Sequence, residues 1–194
     1  AVLQKRGIEC VYGPYHASID AYLAGHPGAF SVIHIARFQL CARFFEAARR
    51  ANPRARILFD TVDLHFLREQ RQALLSRDVA DARRASETKA TELYFAARAD
   101  ATLVVSETER TLLKAALPGA NVQVVSNIDT PIPAPPGPAG RADILFIGGF
   151  RHPPNEDAVR HFIEAIFPRV RRELPGIRFK VVGSHLPETL RTLA

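Results

Sequence analysis

Short apolar runs and longer amphipathic stretches alternate along this chain. The runs are rich in β-branched residues and predict strands over residues 8–12, 30–36, 55–60, 101–105 and 121–126. Between them, apolar residues recur every three or four positions, which is the spacing of one face of a helix. Strands that alternate with helices in this way are typical of βαβ units. The sequence therefore predicts an α/β fold with a parallel sheet.

Two of the predicted helices have distinctive patterns. In residues 39–52 the apolar positions Leu40, Phe44, Phe45 and Ala48 form a single stripe, which predicts a face buried in the core. Residues 67–99 contain neither glycine nor proline and exceed the usual length of a globular helix. They predict one long helix, or two helices joined by a kink at residues 76–78.

A proline-rich segment divides the chain. Residues 130–142 contain five prolines and two glycines, which predicts a semi-stiff linker between a domain of residues 1–129 and a second domain of residues 143–194. The second domain is predicted to have strands at 143–148 and 177–183, a helix at 155–174 and the start of a helix after Pro187. A parallel sheet needs cover on both faces, so this domain is expected to be incomplete.

Composition narrows the class of protein. With 194 residues, 47% of them hydrophobic and 24% charged, the chain has the composition of a soluble globular protein, and no apolar run approaches the ~18 residues of a membrane span. The net charge of +6 is divided equally between residues 1–129 and 130–194, and no basic run is interleaved with aromatic residues. This distribution argues against nucleic-acid binding. The absence of methionine suggests an internal segment of a longer protein.

The two cysteines predict neither a zinc site nor a disulfide framework. Cys10 falls on the first predicted strand and Cys41 on the predicted helix of residues 39–52. We expect both to be buried thiols in a reducing compartment, which favours a cytoplasmic protein.

Ligands of open α/β sheets bind outside the carboxyl ends of the strands, so the residues that follow each strand are the candidates for chemistry. Residues 60–71 carry six ionisable side chains: Asp60, Asp63, His65, Arg68, Glu69 and Arg71. Three interpretations fit them. Carboxylates and imidazole could bind a metal ion, although no further ligand has a telling spacing, or the charges could simply begin an exposed helix. Alternatively, His65 and Arg68 could donate to sugar hydroxyls or phosphate oxygens while Glu69 orients them.

Polar residues also follow the other predicted strands of the first domain, and a parallel sheet would bring them to the same edge. They are His34 and Arg37, Ser106 and Glu107, and Asn127 and Asp129. A histidine on a strand is often a satisfied core residue, which is the alternative for His34. Ser106 opens the sequence SETE, which predicts an N-cap with a capping box for a helix over residues 107–117.

A glycine pair interrupts the stretch ILFIGGFRHPPNEDAV, residues 144–159. Gly148 and Gly149 lack Cβ, so the chain can turn there through positive φ and a ligand can approach the main chain. Asn155 is the predicted N-cap of the next helix, and the carboxylates of Glu156 and Asp157 in its first turn would repel a phosphate. A tight connection between strand and helix is the alternative.

Four segments, in this order, resemble family 4 of the GT-B glycosyltransferases. They are ILFDTVDLHFLREQR (57–71), ELYFAARADATLVVSETERTLL (92–113), VQVVSNIDTP (122–131) and the stretch from ILFIGGF to FKVVGSHLP (144–187). The most specific parts are ARADATLVVSETE and the combination of FIGGF, PNEDAV and FKVVG. The likeness covers nearly the whole chain.

The resemblance implies two Rossmann-like domains that face each other across a cleft, the second of them incomplete. It implies transfer of a sugar from a nucleotide diphosphate sugar to a saccharide or lipid-linked saccharide, with retention at the anomeric carbon and with no metal or other cofactor. The N-terminal domain would hold the acceptor and the C-terminal domain the donor. Such an enzyme of polysaccharide assembly is expected in the cytoplasm, and peripheral contact with the inner membrane face stays open.

The resemblance and the strand-end positions together give three groups of expected site residues. The catalytic group is His65, Arg68 and Glu69. The donor-binding group is Gly148, Gly149, Phe150, Arg151 and Gly183. The group expected in the cleft or at the acceptor is His34, Asp63, Ser106 and Asn127.

Two positions depart from the family pattern. Family members often carry an arginine directly after the glycine turn and a lysine five positions later, where this chain has Phe150 and Asn155. Arg151 could substitute for one of them, and the paired glutamates of the family are expected beyond residue 194. A non-catalytic relative that binds a polysaccharide or a partner subunit is therefore the alternative.

Overall fold

The structure, a computed structural model, describes residues 3–129, 137 and 139–192. The chain divides into two units, Ala1–Asp129 and Thr130–Ala194, each with its own parallel sheet and its own core. The predicted linker, residues 130–142, lies largely outside the described residues. No described helix is long and apolar enough to cross a bilayer.

The first unit is built on four parallel strands that are neighbours in chain order. The strands are β1 (Val32–Ala36), β2 (Arg56–Asp60), β3 (Ala101–Val104) and β4 (Val122–Val124). The helices are α1 (Ile19–Gly25), α2 (Phe38–Ala51), α3 (His65–Ser76), α4 (Val79–Arg98) and α5 (Glu107–Ala116), preceded by a 3₁₀ turn at Gln4–Arg6. The predicted α/β fold with a parallel sheet is thus confirmed for this unit.

The core of the first unit lies on one face of the sheet. It joins Ile35, Ile57, Phe59 and Val104 from alternate strand positions to buried residues of the helices, such as Phe45. The strands follow one another across the sheet in chain order, and crossovers between parallel strands are right-handed. Every connecting helix therefore lies on the same face of the sheet. The opposite face therefore carries the other alternate positions, among them His34, Leu58 and Asp60, which are exposed or half-buried.

The region predicted as one long helix or two is two helices. Arg77 ends α3 in the left-handed conformation, with φ of 54°, and Asp78 caps α4 by accepting a hydrogen bond from the Ala80 N–H. The second alternative is confirmed. A helix that starts anew has unpaired amides in its first turn, and the Asp78 carboxylate accepts one of them.

Three predictions for the first unit were wrong. Residues 8–12 form no strand, because no described strand pairs with them and an isolated strand is not stable. Cys10, within this segment, is half-buried and not buried. In α2, Leu40 is 44% exposed, and Cys41 occupies the core with Phe44, Phe45 and Ala48. The stripe begins one residue later than predicted, at the spacing i, i+3, i+4 and i+7. Burial raises the pKa of the Cys41 thiol to about 12.

The second unit pairs two parallel strands under a succession of helical segments. The strands are β5 (Ile144–Ile147) and β6 (Phe179–Val182). The helical segments are α6 (Pro153–His161), a π-helical turn (Phe162–Ile166), α7 (Phe167–Glu173) and α8 (Glu188–Arg191). The core is formed by Phe150, Val159 and Leu190.

The start of α6 differs from the prediction. The helix begins at Pro153 with His152 as the N-cap, so Asn155 is not the cap. Proline suits the first helical position because its φ is already helical and it has no N–H that needs a partner there. The Asn155 side chain instead donates to the carbonyl of Gly149, at 2.9 Å.

Asp143 anchors the exposed side of the two-stranded sheet. Its carboxylate accepts hydrogen bonds from the Lys180 ammonium at 2.7 Å and from the Arg178 guanidinium at 3.0 Å. These two cations lower the pKa of Asp143 from 3.8 to about 2. A lowered folded-state pKa means that this contribution to stability is complete above pH 3.8 and is lost as the pH falls towards 2.

Lys180→Met should therefore move the titration midpoint of Asp143 upwards, towards the ordinary value of 3.8. Carbon-detected NMR of the side-chain carboxyl measures this midpoint directly. Lys114→Met is the control, because Lys114 lies on α5 in the first unit and donates to the Pro118 carbonyl. An unchanged midpoint in the Lys180 variant would show that Arg178 alone sets the pKa of Asp143.

Candidate functional site

The loop that joins β2 to α3 is held by a nearly complete set of hydrogen bonds from its main-chain amides. Each bond joins an amide to a side chain or strand beside the loop: Thr61 N to Leu103 O at 3.0 Å, Val62 N to Asp60 Oδ1 at 2.9 Å, Leu64 N to Glu109 Oε1 at 3.2 Å, His65 N to Glu92 Oε1 at 3.1 Å and Phe66 N to Glu92 Oε2 at 3.0 Å. Residues 61–66 lie at the carboxyl edge of the sheet. The loop is therefore fixed where α/β folds bind ligands.

Glu92 caps a helix to which it does not belong. Its carboxylate projects from α4, is 1% exposed, and accepts the first two amides of α3. Burial raises the pKa of Glu92, while hydrogen bonds from the amides of Phe66 and His65 oppose the rise. A negative charge at a helix N-terminus also complements the helix dipole. Glu92 thus fixes both the start of α3 and the position of His65.

Asp63, His65 and Arg68 are brought together at the start of α3. Arg68 Nη1 donates to Asp63 Oδ2 at 2.7 Å, and His65 Nδ1 lies 3.0 Å from the Asp63 carbonyl oxygen. His65 is buried, with Glu92 Oε1 at 3.4 Å and the ring of Phe38 edge-on at 5.2 Å. Arg68 is exposed, so its guanidinium is available to a ligand and the His65 ring is largely not.

Glu69 has a different environment from His65 and Arg68. Its Oε2 is buried and has no hydrogen-bond partner among the described residues. The structure does not show Glu69 orienting His65 or Arg68, which is the role that the sequence suggests for it.

His34 and Asp60 form a second pair on the open face of the sheet. His34 Nε2 lies 3.0 Å from Asp60 Oδ2, and the other carboxylate oxygen accepts the Val62 amide. The His34 side chain is 51% exposed, so it is not a core histidine. When a carboxylate binds one imidazole nitrogen, the other nitrogen points away from that carboxylate. This is the arrangement of a histidine that exchanges protons with a ligand.

Two residues beside this pair have positive φ although neither is glycine. Arg37, between β1 and α2, has φ of 72° and ψ of 142°, and Val62 has φ of 65°. A β-branched residue in this region is strained, at a cost of about 1–3 kcal/mol. Such strain persists only where the surroundings impose it, and it clusters at functional sites. Here both residues flank the His34 and Asp60 side chains.

Ser106 and Asn127 are the other predicted site residues of the first unit, and neither joins the cluster at the start of α3. Ser106 is confirmed as an N-cap, because its hydroxyl accepts the Glu109 amide at 3.2 Å. Asn127 is exposed after β4, and no contact joins it to the cluster in the part of the chain that is described. No group of three histidine, cysteine, aspartate or glutamate side chains among the described residues is arranged to hold a metal ion.

In the second unit, the glycines have packing roles. A Cβ on Gly183 would lie 1.8 Å from the carbonyl oxygen of Gly148, and a Cβ on Gly148 would lie 2.8 Å from Asn155 Nδ2. A Cβ on Gly149 would meet only Ser184 Oγ, at 3.7 Å. None of the three has positive φ, so the turn at Gly148 and Gly149 does not use the positive-φ conformation that glycine allows. The bare backbone lets the ends of β5 and β6 approach each other.

Two neighbours of the glycines also differ in environment. Phe150 is buried in the core of the second unit against Phe146, while Arg151 is exposed. Of the predicted donor-binding residues, Gly149, Arg151 and Gly183 are exposed, Gly148 is half-buried, and Phe150 is occupied by packing.

No protein-family model, curated protein or solved structure matches this chain.

Sequence reasoning missed Glu92 and one of the two contacts of Glu109. The buried face of α4 repeats at Ala85, Thr88, Glu92 and Phe95, so a carboxylate stands at a core position of a helix. That placement was a usable signal, because a charged residue on a buried stripe needs a specific partner. Glu109 is the glutamate of the predicted capping box, and its second contact, to Leu64 N, could not be read from local sequence.

Proposed function

We propose that this protein is a glycosyltransferase, or part of one, that moves a sugar from a nucleotide diphosphate sugar to a saccharide or lipid-linked saccharide acceptor. The observation that carries the proposal is the fixed loop 61–66 with the start of α3, which presents Asp63 and Arg68 at the carboxyl edge of a parallel sheet. Hydroxyl-rich and anionic ligands are bound by charged side chains held rigidly in this way. The resemblance to GT-B enzymes supports the same activity.

In this proposal the first unit handles the acceptor, and its polar side chains have different roles. Arg68 donates to the acceptor through the guanidinium nitrogens that do not bind Asp63. His34, held by Asp60, exchanges a proton with an acceptor hydroxyl. His65 is a positioning residue, because its ring is buried and its amide is bonded to Glu92.

The second unit handles the donor in this proposal. Gly149 is exposed and open to an approaching group, and Arg151 beside it supplies a positive charge for the diphosphate. The N-terminus of α6 contributes little, because Pro153 and Pro154 have no amide hydrogens. Retention at the anomeric carbon and the absence of a metal from the reaction are part of the proposal.

A non-catalytic binding protein of the same fold is the second candidate. The positions where GT-B enzymes often grip the diphosphate are used internally, since Phe150 is in the core and Asn155 donates to Gly149. Incubating the full-length protein with a panel of nucleotide diphosphate sugars separates the two. Steady release of nucleotide diphosphate supports the transferase, and no release from any donor supports the binding protein.

Arg68→Ala should reduce sugar transfer by the full-length protein by about 10-fold or more, the effect of losing one charged hydrogen-bond donor to substrate. Its thermal stability should change little, because the Arg68–Asp63 pair is exposed. Arg71→Ala is the matched control, since Arg71 is exposed on the same helix one turn later. Equal turnover in both variants would make the charges of α3 a structural feature only.

A further inference from the structure

Helices α3 and α4 form a hairpin whose outer end lies beyond the core of the first unit. The two helices pack along each other and are joined by a turn of two residues. The buried residues of α3, His65 and Phe66, stand at its start, and the first buried residue of α4 is Ala85. Every residue from 74 to 80, a segment that we call the tip, is exposed. The tip therefore makes no contribution to the core and is open to solvent on all sides that the structure describes.

The tip presents three large apolar side chains to solvent. Leu74 and Leu75 are each 78% exposed, and Val79 is 83% exposed. Single exposed apolar side chains are common on protein surfaces, but these three fall within six positions at the end of one hairpin. A contiguous apolar patch of this kind is unfavourable in water and marks an interaction surface.

The polar groups of the tip hold the turn in shape and leave one cation without an ion pair. The Ser76 hydroxyl donates to Asp81 Oδ2 at 2.7 Å, and Asp81 also pairs with Arg84. Asp78 accepts an amide of the first turn of α4 at 2.8 Å. Arg77, which stands between the apolar side chains, is exposed and has no ion-pair partner among the described residues. Both carboxylates are thus used inside the hairpin, and the unpaired charge at the tip is positive.

The size and the charge of the tip fit a membrane surface better than a protein. A stable protein interface buries about 800 Å² on each partner. Aromatic side chains bury about 150–250 Å² each, and leucine and valine are smaller, so three of them supply less than that area. A bilayer accepts a few apolar side chains at its surface, while an arginine beside them reaches the lipid phosphates. Anionic lipids are favoured because the chain has a net charge of +6.

We propose that the tip inserts into the surface of a membrane that contains anionic lipids. Leu74, Leu75 and Val79 enter the boundary between the headgroups and the acyl chains, and the Arg77 guanidinium binds phosphate oxygens of the lipids. The binding is reversible, because three such side chains are smaller than one myristoyl chain, which by itself anchors only weakly. It requires neither donor nor acceptor, so it is tested separately from the proposed transferase activity.

Flotation of the full-length protein with vesicles tests the insertion. The protein should float with vesicles of equal parts phosphatidylglycerol and phosphatidylcholine at millimolar lipid, and more weakly with phosphatidylcholine alone. The double variant Leu74→Ser with Leu75→Ser should bind about 10-fold more weakly or worse, because two apolar side chains no longer leave water. Its melting temperature should stay the same, since both side chains are exposed.

The double variant Leu40→Ser with Leu112→Ser is the matched control for the insertion. These leucines are also exposed, but they lie on α2 and α5, away from the tip. This variant should bind the vesicles within about 2-fold of the parent protein.

A charge variant tests the role of Arg77. Arg77→Gln should weaken binding to the anionic vesicles by about 5-fold, which is the effect of one cation at such a surface, and binding to phosphatidylcholine by less. Arg83→Gln is the control, because it removes the same charge from a side chain that is paired with Glu87 and lies outside the tip. Its binding should stay within about 2-fold of the parent protein.

Five results would overturn the proposal. The first three are no flotation at millimolar lipid, equal binding by the two serine double variants, and equal effects of Arg77→Gln and Arg83→Gln. A lowered melting temperature of the Leu74 and Leu75 variant would show that the tip is covered within the full-length protein. Concentration-dependent dimers in analytical ultracentrifugation that this variant abolishes would assign the tip to a second copy of the chain instead.

Discussion

Glu92→Ala should lower the free energy of unfolding of the first unit by about 2–5 kcal/mol, among the largest effects of a single substitution. The variant leaves the amides of His65 and Phe66 without their acceptors in a buried place. It also removes the negative charge from the start of α3 and opens a cavity beside α4. Urea unfolding followed by circular dichroism measures the loss, and hydrogen exchange at the two amides localises it.

Glu87→Ala is the matched control for this variant. Glu87 lies on the same helix, but its side chain is exposed and pairs with Arg83, four residues before it. Such exposed pairs contribute about 0.3–0.5 kcal/mol. If the Glu92 and Glu87 variants were equally stable, Glu92 would not be the cap that fixes α3.

The pH dependence of Glu92→Gln gives an independent check. Burial raises the folded-state pKa of Glu92, so the folded chain binds more protons than the unfolded chain above pH 4.5. The wild-type protein should therefore lose stability relative to the glutamine variant as the pH rises from 4.5 through the raised pKa. A stability difference that stayed constant with pH would contradict the raised pKa.

Gly183→Ala should destabilise the second unit by about 3 kcal/mol or more. The new Cβ would lie 1.8 Å from the main-chain oxygen of Gly148, and a backbone atom cannot rotate away as a side chain can. The ends of β5 and β6 would have to separate, which breaks the bonds from Gly148 N to Val182 O and from Phe150 N to Ser184 O. Loss of dispersed amide resonances from residues 143–192 would report this result.

Gly149→Ala is the control that separates packing from ligand binding. Its Cβ would make only an ordinary contact, so the fold should be retained and stability should change by less than about 1 kcal/mol. If Gly149 meets the donor, this variant should bind nucleotide diphosphate more weakly while remaining folded. A folded and stable Gly183→Ala variant would show that the close approach of the strand ends is not required.

The parallel sheet of the first unit was predictable because its strands are buried runs separated by amphipathic helices. The register of burial within α2 was harder, because Cys41 and Leu40 are both apolar and only packing selects Cys41 for the core. Residues 8–12 have the composition of a strand, yet strand formation depends on a partner that local sequence does not reveal.

The candidate site was predictable in position but not in detail. The charged run after β2 located it, and the strand-end rule added His34. The partners that hold the site come from residues 92 and 109, remote in sequence, and no local pattern shows that their carboxylates meet the loop. Burial separates His65 from Arg68, although the two are three positions apart on one helix.

Glu92 and Glu109 tether one short loop to two different helices, and this has a consequence for its motion. The loop cannot open by fraying, because its release requires breaking contacts to α4 and α5 together. We therefore expect its excursions to be rarer than those of a loop that is held only at its ends. A molecule that binds at Asp63 and Arg68 must fit a surface that is already in shape before it arrives.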